Sequence, residues 1–73
     1  MLDKKILGKL IQEKRKELGI TQNQLSHVTE LSRNYISDIE NGRYTPSVDS
    51  LSKIAIYLKL DLNVIKMTEI QVD

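Results

Sequence analysis

The sequence has no cysteine, no tryptophan and no phenylalanine, a single proline and a single histidine. Without cysteine there is no disulfide framework, no thiolate metal site and no cysteine nucleophile. Such a composition suits a reducing compartment such as the cytoplasm. His27 stands alone on the polar side of a short helical segment, where solvation is the expected role. The carboxylates Glu13, Glu17, Glu30 and Asp49 are scattered, and no cluster has metal-ligand spacing. A glycine-rich phosphate loop is also missing, so neither an enzyme, a metal nor a cofactor is expected. No apolar run approaches the roughly 20 residues that a membrane span needs. Met1-Leu2-Asp3-Lys4-Lys5 leads into an amphipathic segment, not an apolar signal core. An excess of one charge is lacking too: 11 Lys and Arg against 10 Asp and Glu leave a formal charge of +1. Nucleic-acid-binding domains are often far more basic, so the bulk charge does not point to DNA.

What is present is a short chain with a folded domain's composition. Of its 73 residues, 40% are hydrophobic and 29% charged. These proportions predict one domain over residues 1–73. A domain of this size buries only about 60% of its unfolded surface, so oligomerisation would help it. Breaks divide the chain into five short helices with no convincing strand, an all-α pattern. The first runs from about Lys4 to Leu18, with Leu7, Ile11 and Leu18 on one side and Leu10 widening the stripe. Gly19 follows its last turn, where a positive φ is often wanted. Thr21 with Gln24 three residues on is a capping-box signature, so a second helix starts after Thr21 and ends near Thr29. Ser32 is a suitable N-cap for a third, from Arg33 to about Asn41, with Ile36 and Ile39 as an apolar pair. Asn41-Gly42 ends it and Tyr44-Thr45-Pro46 forms a loop. Ser47 caps a fourth helix carrying Val48, Leu51, Ile54, Ala55 and Leu58, and Asp61 caps a short fifth with Leu62 and Ile65. Residues 68–73 alternate weakly, and a terminal segment of that length is expected to fray.

The most constraining stretch is QNQLSHVTELSRNYISDIEN, Gln22 to Asn41. It reads as a helix, a tight turn and a second helix, a helix-turn-helix over about 21–41. Leu25, Leu31, Ile36 and Ile39 are spaced so that two crossing helices share one small core. Ser26 is small where the two approach. Around this motif stand Leu7-Gly8, Ile11 with Arg15, GITQ at Gly19 to Gln22, and Gln24-Leu25. SRNYISDIENG at Ser32 to Gly42, TPS at Thr45 to Ser47, Leu51 and Ile54-Ala55 complete the series. With these pieces in this order, the chain from about Leu7 to Ile65 resembles the Cro/C1-type (XRE) helix-turn-helix family of phage-like DNA-binding repressors. It departs from the family pattern at Glu30, where glycine is usual, at Ser26, where alanine is common, and at Lys14, often apolar.

The resemblance implies a lambda-repressor-like fold whose third helix lies in the major groove of double-stranded DNA. Arg33, Asn34, Ser37 and Asp38 would then face outward and read base edges, since Ile36 and Ile39 face inward. Arg33 suits guanine O6 and N7, Asn34 suits adenine N6 and N7, and Asp38 can accept from cytosine N4. Gln22 and Asn23, at the start of the second helix, and Tyr35, Asn41, Arg43 and Tyr44 around the reading helix are expected at phosphates. Arg15 and Glu40 resemble an ion pair tying the first helix to the end of the third, a structural role.

One reading head covers little DNA, so a homodimer on a pseudo-palindromic operator is expected. Val64 and Met67 lie on the side of the fifth segment opposite Leu62 and Ile65; with Ile70 they are the expected dimer contact. The function implied is a sequence-specific transcriptional repressor of prophage or mobile-element type, acting on DNA without a membrane. An antitoxin or adaptor that mainly binds a regulatory protein partner is the alternative, motivated by the apolar Val64 surface and the low net charge.

Overall fold

A computed structural model of the chain describes residues 3–60. It contains four helices among those residues: α1 (Lys4–Glu17), α2 (Gln22–Thr29), α3 (Arg33–Glu40) and α4 (Val48–Leu58). No strand occurs among the described residues, as the apolar periodicity requires. The fifth helix expected after Asp61, the tail, and Val64, Met67 and Ile70 lie outside the described residues.

Each helix starts where a short polar side chain can accept from the free amides of the first turn. The Asp3 carboxylate accepts from the amides of Lys5 and Ile6. At α2 the capping box is complete. The Gln24 amide donates to the Thr21 hydroxyl at 3.0 Å, and the Thr21 amide donates to the Gln24 side-chain oxygen at 2.8 Å. Ser32 and Ser47 accept from the amides of Tyr35 and Ser50 in the same way. Lys14, Arg15 and Lys16 occupy the last turn of α1, where cations complement the helix dipole. Gly19 and Gly42 then reverse the chain with φ of 71° and 75°, a region that suits glycine.

α1 packs on α3 and α4, and α2 packs on α3 and α4. Between them sit Leu7, Ile11, Leu25, Ile36, Ile39, Ile54 and Leu58, all essentially inaccessible to water. Each such aliphatic side chain contributes about 1.5–3 kcal/mol of burial. Leu10, Ile20, Leu31 and Tyr35 close the edges of this core. Two apolar positions fall elsewhere than their spacing suggests. Leu18 is the C-cap of α1, one residue past the helix, and is 42% exposed. Val48 is the first residue of α4 and is 70% exposed, because the core stripe of that helix begins at Ser50 and Leu51.

Two backbone features set how α3 is presented. The first is Gly8, on the buried side of α1. A Cβ there would run into the carbonyl oxygen of Ile39 and come within 2.9 Å of that of Glu40. The missing side chain lets α1 lie directly against the last turn of α3. The second is the turn between α2 and α3. Glu30 takes the left-handed conformation, φ 60° and ψ 24°, where a non-glycine residue costs roughly 1–2 kcal/mol. Two hydroxyls of α2 hold that turn. Ser26 donates to the Leu31 carbonyl, and Thr29 donates to the Leu25 carbonyl at 2.6 Å while accepting from the Leu31 amide at 3.4 Å. Ser26 thus does more than fill a small space: its hydroxyl satisfies the first carbonyl beyond the turn.

Candidate nucleic-acid interface

Successive residues of an α-helix are rotated by roughly 100°. Burying Ile36, Ile39 and Glu40, with Tyr35 half-buried, therefore turns Asn34, Ser37, Asp38 and Asn41 to the opposite side, whereas Arg33, seven residues before Glu40, lies about 20° from it in projection and is exposed at the first turn of the helix. Arg33, Asn34 and Asn41 are exposed, and Ser37 and Asp38 are partly so. The structure thus brings Asn34, Ser37 and Asp38, three of the four residues expected to read bases, onto one outward strip, and sets Arg33 at its N-terminal edge beside the cleft described below.

The two halves of that strip differ. Among the described residues, Arg33 and Asn34 make no side-chain hydrogen bond and remain available to a ligand. The C-terminal half is internally bonded. The Asn41 amide donates to the Ser37 carbonyl at 2.9 Å and to its hydroxyl at 3.4 Å. Arg43 donates from its guanidinium to Asp38 Oδ1 at 2.9 Å.

Cations flank the strip at both ends. At the N-terminal end, Arg15, Lys16, Gly19, Ile20, Thr21, Gln22, Asn23 and Arg33 line an open cleft of about 440 Å³. The free amides of the first turn of α2 belong to the same corner, a setting favourable to an anion. At the C-terminal end, Lys4 Nζ donates to the Arg43 carbonyl at 3.4 Å, and Lys5 packs beside Gly42. Lys4 and Lys5 are not singled out by sequence reasoning. Their signal is the basic pair at the start of the first helix, whose nearness to the end of α3 only the fold reveals.

The residues expected at phosphates divide similarly. Asn23 is exposed at the mouth of the cleft. Gln22 lines the same cleft, but its amide also donates to Glu40 Oε1 at 3.0 Å. Tyr44 is exposed, with its ring 6.4 Å from that of Tyr35 and tilted by 34°. The Tyr35 hydroxyl accepts from the Ser47 amide at 3.4 Å, so this ring also links α3 to the start of α4.

Beneath the interface lies the Arg15–Glu40 pair. Arg15 Nε and Nη2 donate to the two carboxylate oxygens of Glu40 at 2.7 and 3.0 Å, a bidentate geometry. Arg15 Nη1 donates to the Ile20 carbonyl at 2.8 Å. Side-chain exposures of 9% and 0% make this a buried pair. One carboxylate on α3 therefore holds α1 through Arg15 and α2 through Gln22, which fixes the pose of α3.

The pattern of the Helix-turn-helix family matches residues 11–65, most of the chain. The protein belongs to this family, the Cro/C1-type class of DNA-binding transcription regulators. Over 72 residues it is 60% identical to the "ImmF control region 10 kDa protein" of Bacillus phage phi105, covering 99% of this chain and 80% of that one. It is also 41% identical, over 59 residues, to the "Immunity repressor protein" of the same phage. There the match covers 81% of this chain but only 41% of the relative, so this chain corresponds to part of that repressor. In fold it is similar to the clp gene regulator ClgR from Corynebacterium glutamicum, with a TM-score of 0.82 at 23% identity. That likeness covers 94% of this chain and 73% of the other. The all-α architecture expected from the apolar spacing is thus shared with a regulator of low sequence identity.

Proposed function

We propose that this protein is a transcriptional repressor that binds a pseudo-palindromic operator as a homodimer, with α3 of each subunit in the major groove. The observation that carries the reading is the outward strip of α3. Arg33 and Asn34, without a side-chain hydrogen bond among the described residues, stand on a helix fixed from behind by a buried ion pair, with cations at both ends. Arg33 and Asn34 read base edges at the N-terminal half of α3, with Ser37 and Asp38 further along. Asn23, Gln22, Arg43, Asn41, Tyr44 and Tyr35 meet the phosphates on either side, joined by Lys4, Lys5 and Lys16. The phage control and repressor names of the relatives support the repressor assignment. The partner subunit is held through Val64, Met67 and Ile70, apolar residues at helical spacing in the C-terminal segment.

The test is selection of purified protein from a random duplex library at two salt concentrations. Recovery of an inverted repeat with a fixed half-site spacing is the expected result. A single half-site without symmetry would remove the dimer from the proposal. No enrichment at either salt would favour a protein-binding role.

A further inference from the structure

We infer that Asp38 and Arg43 act together as a discriminating switch, in which Asp38 withholds Arg43 from DNA phosphate unless the base pair beneath it presents an amino group. This deepens the DNA-reading proposal above and rests on it.

The geometry begins with the backbone. The Arg43 amide donates to the Asp38 carbonyl at 2.9 Å, closing the turn after α3. The Arg43 side chain then folds back onto the same residue, its Nη1 2.9 Å from Asp38 Oδ1. Lys4 binds the Arg43 carbonyl from the far side. Arg43 is thus anchored at both ends of its own residue and rests against the reading strip. Its side chain is 63% exposed and that of Asp38 28%. An ion pair this open adds little to stability, so stability does not account for it.

A carboxylate on a DNA-facing helix is a liability next to phosphates and next to the acceptor atoms of guanine and thymine. Only cytosine N4 and adenine N6 offer it a donor in the major groove. If Arg43 leaves Asp38 for a phosphate, the carboxylate faces the groove unpaired unless one of those amino groups lies beneath it. On non-matching DNA the pair therefore stays closed, and the subunit makes one phosphate contact fewer. On the matching base pair, the base replaces Arg43 as donor and Arg43 moves to the backbone. Charge neutralisation and base reading are coupled through one carboxylate.

The coupling has a signature in salt dependence, because each phosphate neutralised adds about 0.9 to the slope of log K against log salt. Asp38→Ala frees Arg43 on any sequence. It is expected to steepen the salt slope on non-operator DNA by about 0.9 per subunit and to reduce discrimination at one base pair of each half-site by about tenfold. The same substitution in an Arg43→Ala background is expected to leave the non-operator slope unchanged, since no arginine remains to be released. Thermal melting of all three variants should match the parent, which separates the effect from a loss of fold. An unchanged slope in Asp38→Ala overturns the inference. So does an equal steepening with and without Arg43, which would mean that Asp38 merely repels DNA. If the parent protein selects an operator and either of these follows, only the switch fails. A parent that binds no duplex overturns both the switch and the reading on which it rests.

Discussion

Replacing Gly8 by alanine sets two effects against each other. Alanine is favoured over glycine inside a helix by about 1 kcal/mol, but here its methyl group would enter the space of two carbonyl oxygens on α3. Those atoms belong to the backbone and cannot rotate away. Overpacking at backbone atoms takes the upper end of its usual cost, and Gly8→Ala should lose about 1–2 kcal/mol net in urea unfolding, the reverse of its propensity effect. Glu30 points the other way. Glycine relieves the left-handed strain but loosens the unfolded chain, so Glu30→Gly should gain about 0.5–1 kcal/mol. At this size each kcal/mol raises the midpoint of a thermal melt by about 4–8 °C. For recognition, Arg33→Ala should weaken operator binding by about 1–3 kcal/mol and relax preference at one base pair. A uniform loss on all sequences would instead put Arg33 on a phosphate, as its place in the cleft with Asn23 permits.

At the level of elements, the angle of α3 depends on the clamp behind it. Arg15→Ala leaves the Glu40 carboxylate buried with Gln22 as its remaining partner. The cost expected for stranding such a charge is about 3–5 kcal/mol. A domain of this length has only about 4–11 kcal/mol in total. Urea unfolding should therefore show a large share of the stability gone, and a loss under about 1 kcal/mol would refute the clamp. Much of this element-level arrangement is legible in the sequence because its causes are local. Thr21, Ser32 and Ser47 cap helices within three residues of themselves, and Gly19 and Gly42 mark reversals. Leu18 falls outside the core because periodicity identifies a stripe without saying where the helix under it ends. The Gln22–Glu40 bond joins residues 18 apart, and only the crossing of α2 and α3 brings them together. The Asp38–Arg43 pair depends on the path of a turn, to which residue spacing gives no angle. The strip of Asn34, Ser37 and Asp38 is readable as the complement of Ile36 and Ile39, whereas Arg33 falls beside the cleft because it lies two turns before the buried Glu40.

For the whole molecule, a net charge of +1 conceals an arrangement. Lys16 and Arg33 line the cleft at one end of α3, and Lys4, Lys5 and Arg43 gather at the other. Such a surface favours two separated phosphate tracks over a broad basic patch. Dimerisation is the remaining requirement of the proposal, and Val64→Asp tests it in sedimentation. The expected result is a monomer at concentrations where the parent is a dimer, with operator affinity reduced and the circular dichroism of the helices retained. Loss of the dimer without loss of operator affinity would show that each subunit reads alone.

The shared carboxylate of Glu40 also bears on motion. It sits on α3, is held by Arg15 from α1 and by Gln22 from α2, and has no exposure to water. Separating α1 from α3 strands a charge in the interior, and detaching α2 takes a hydrogen-bond donor from that buried carboxylate, so each of the three is held by the other two. Amide hydrogen exchange in the middle of α1, α2 and α3 should therefore report one common opening free energy rather than a graded series. The reading helix would then reach DNA already rigid, with little ordering entropy left to lose on contact.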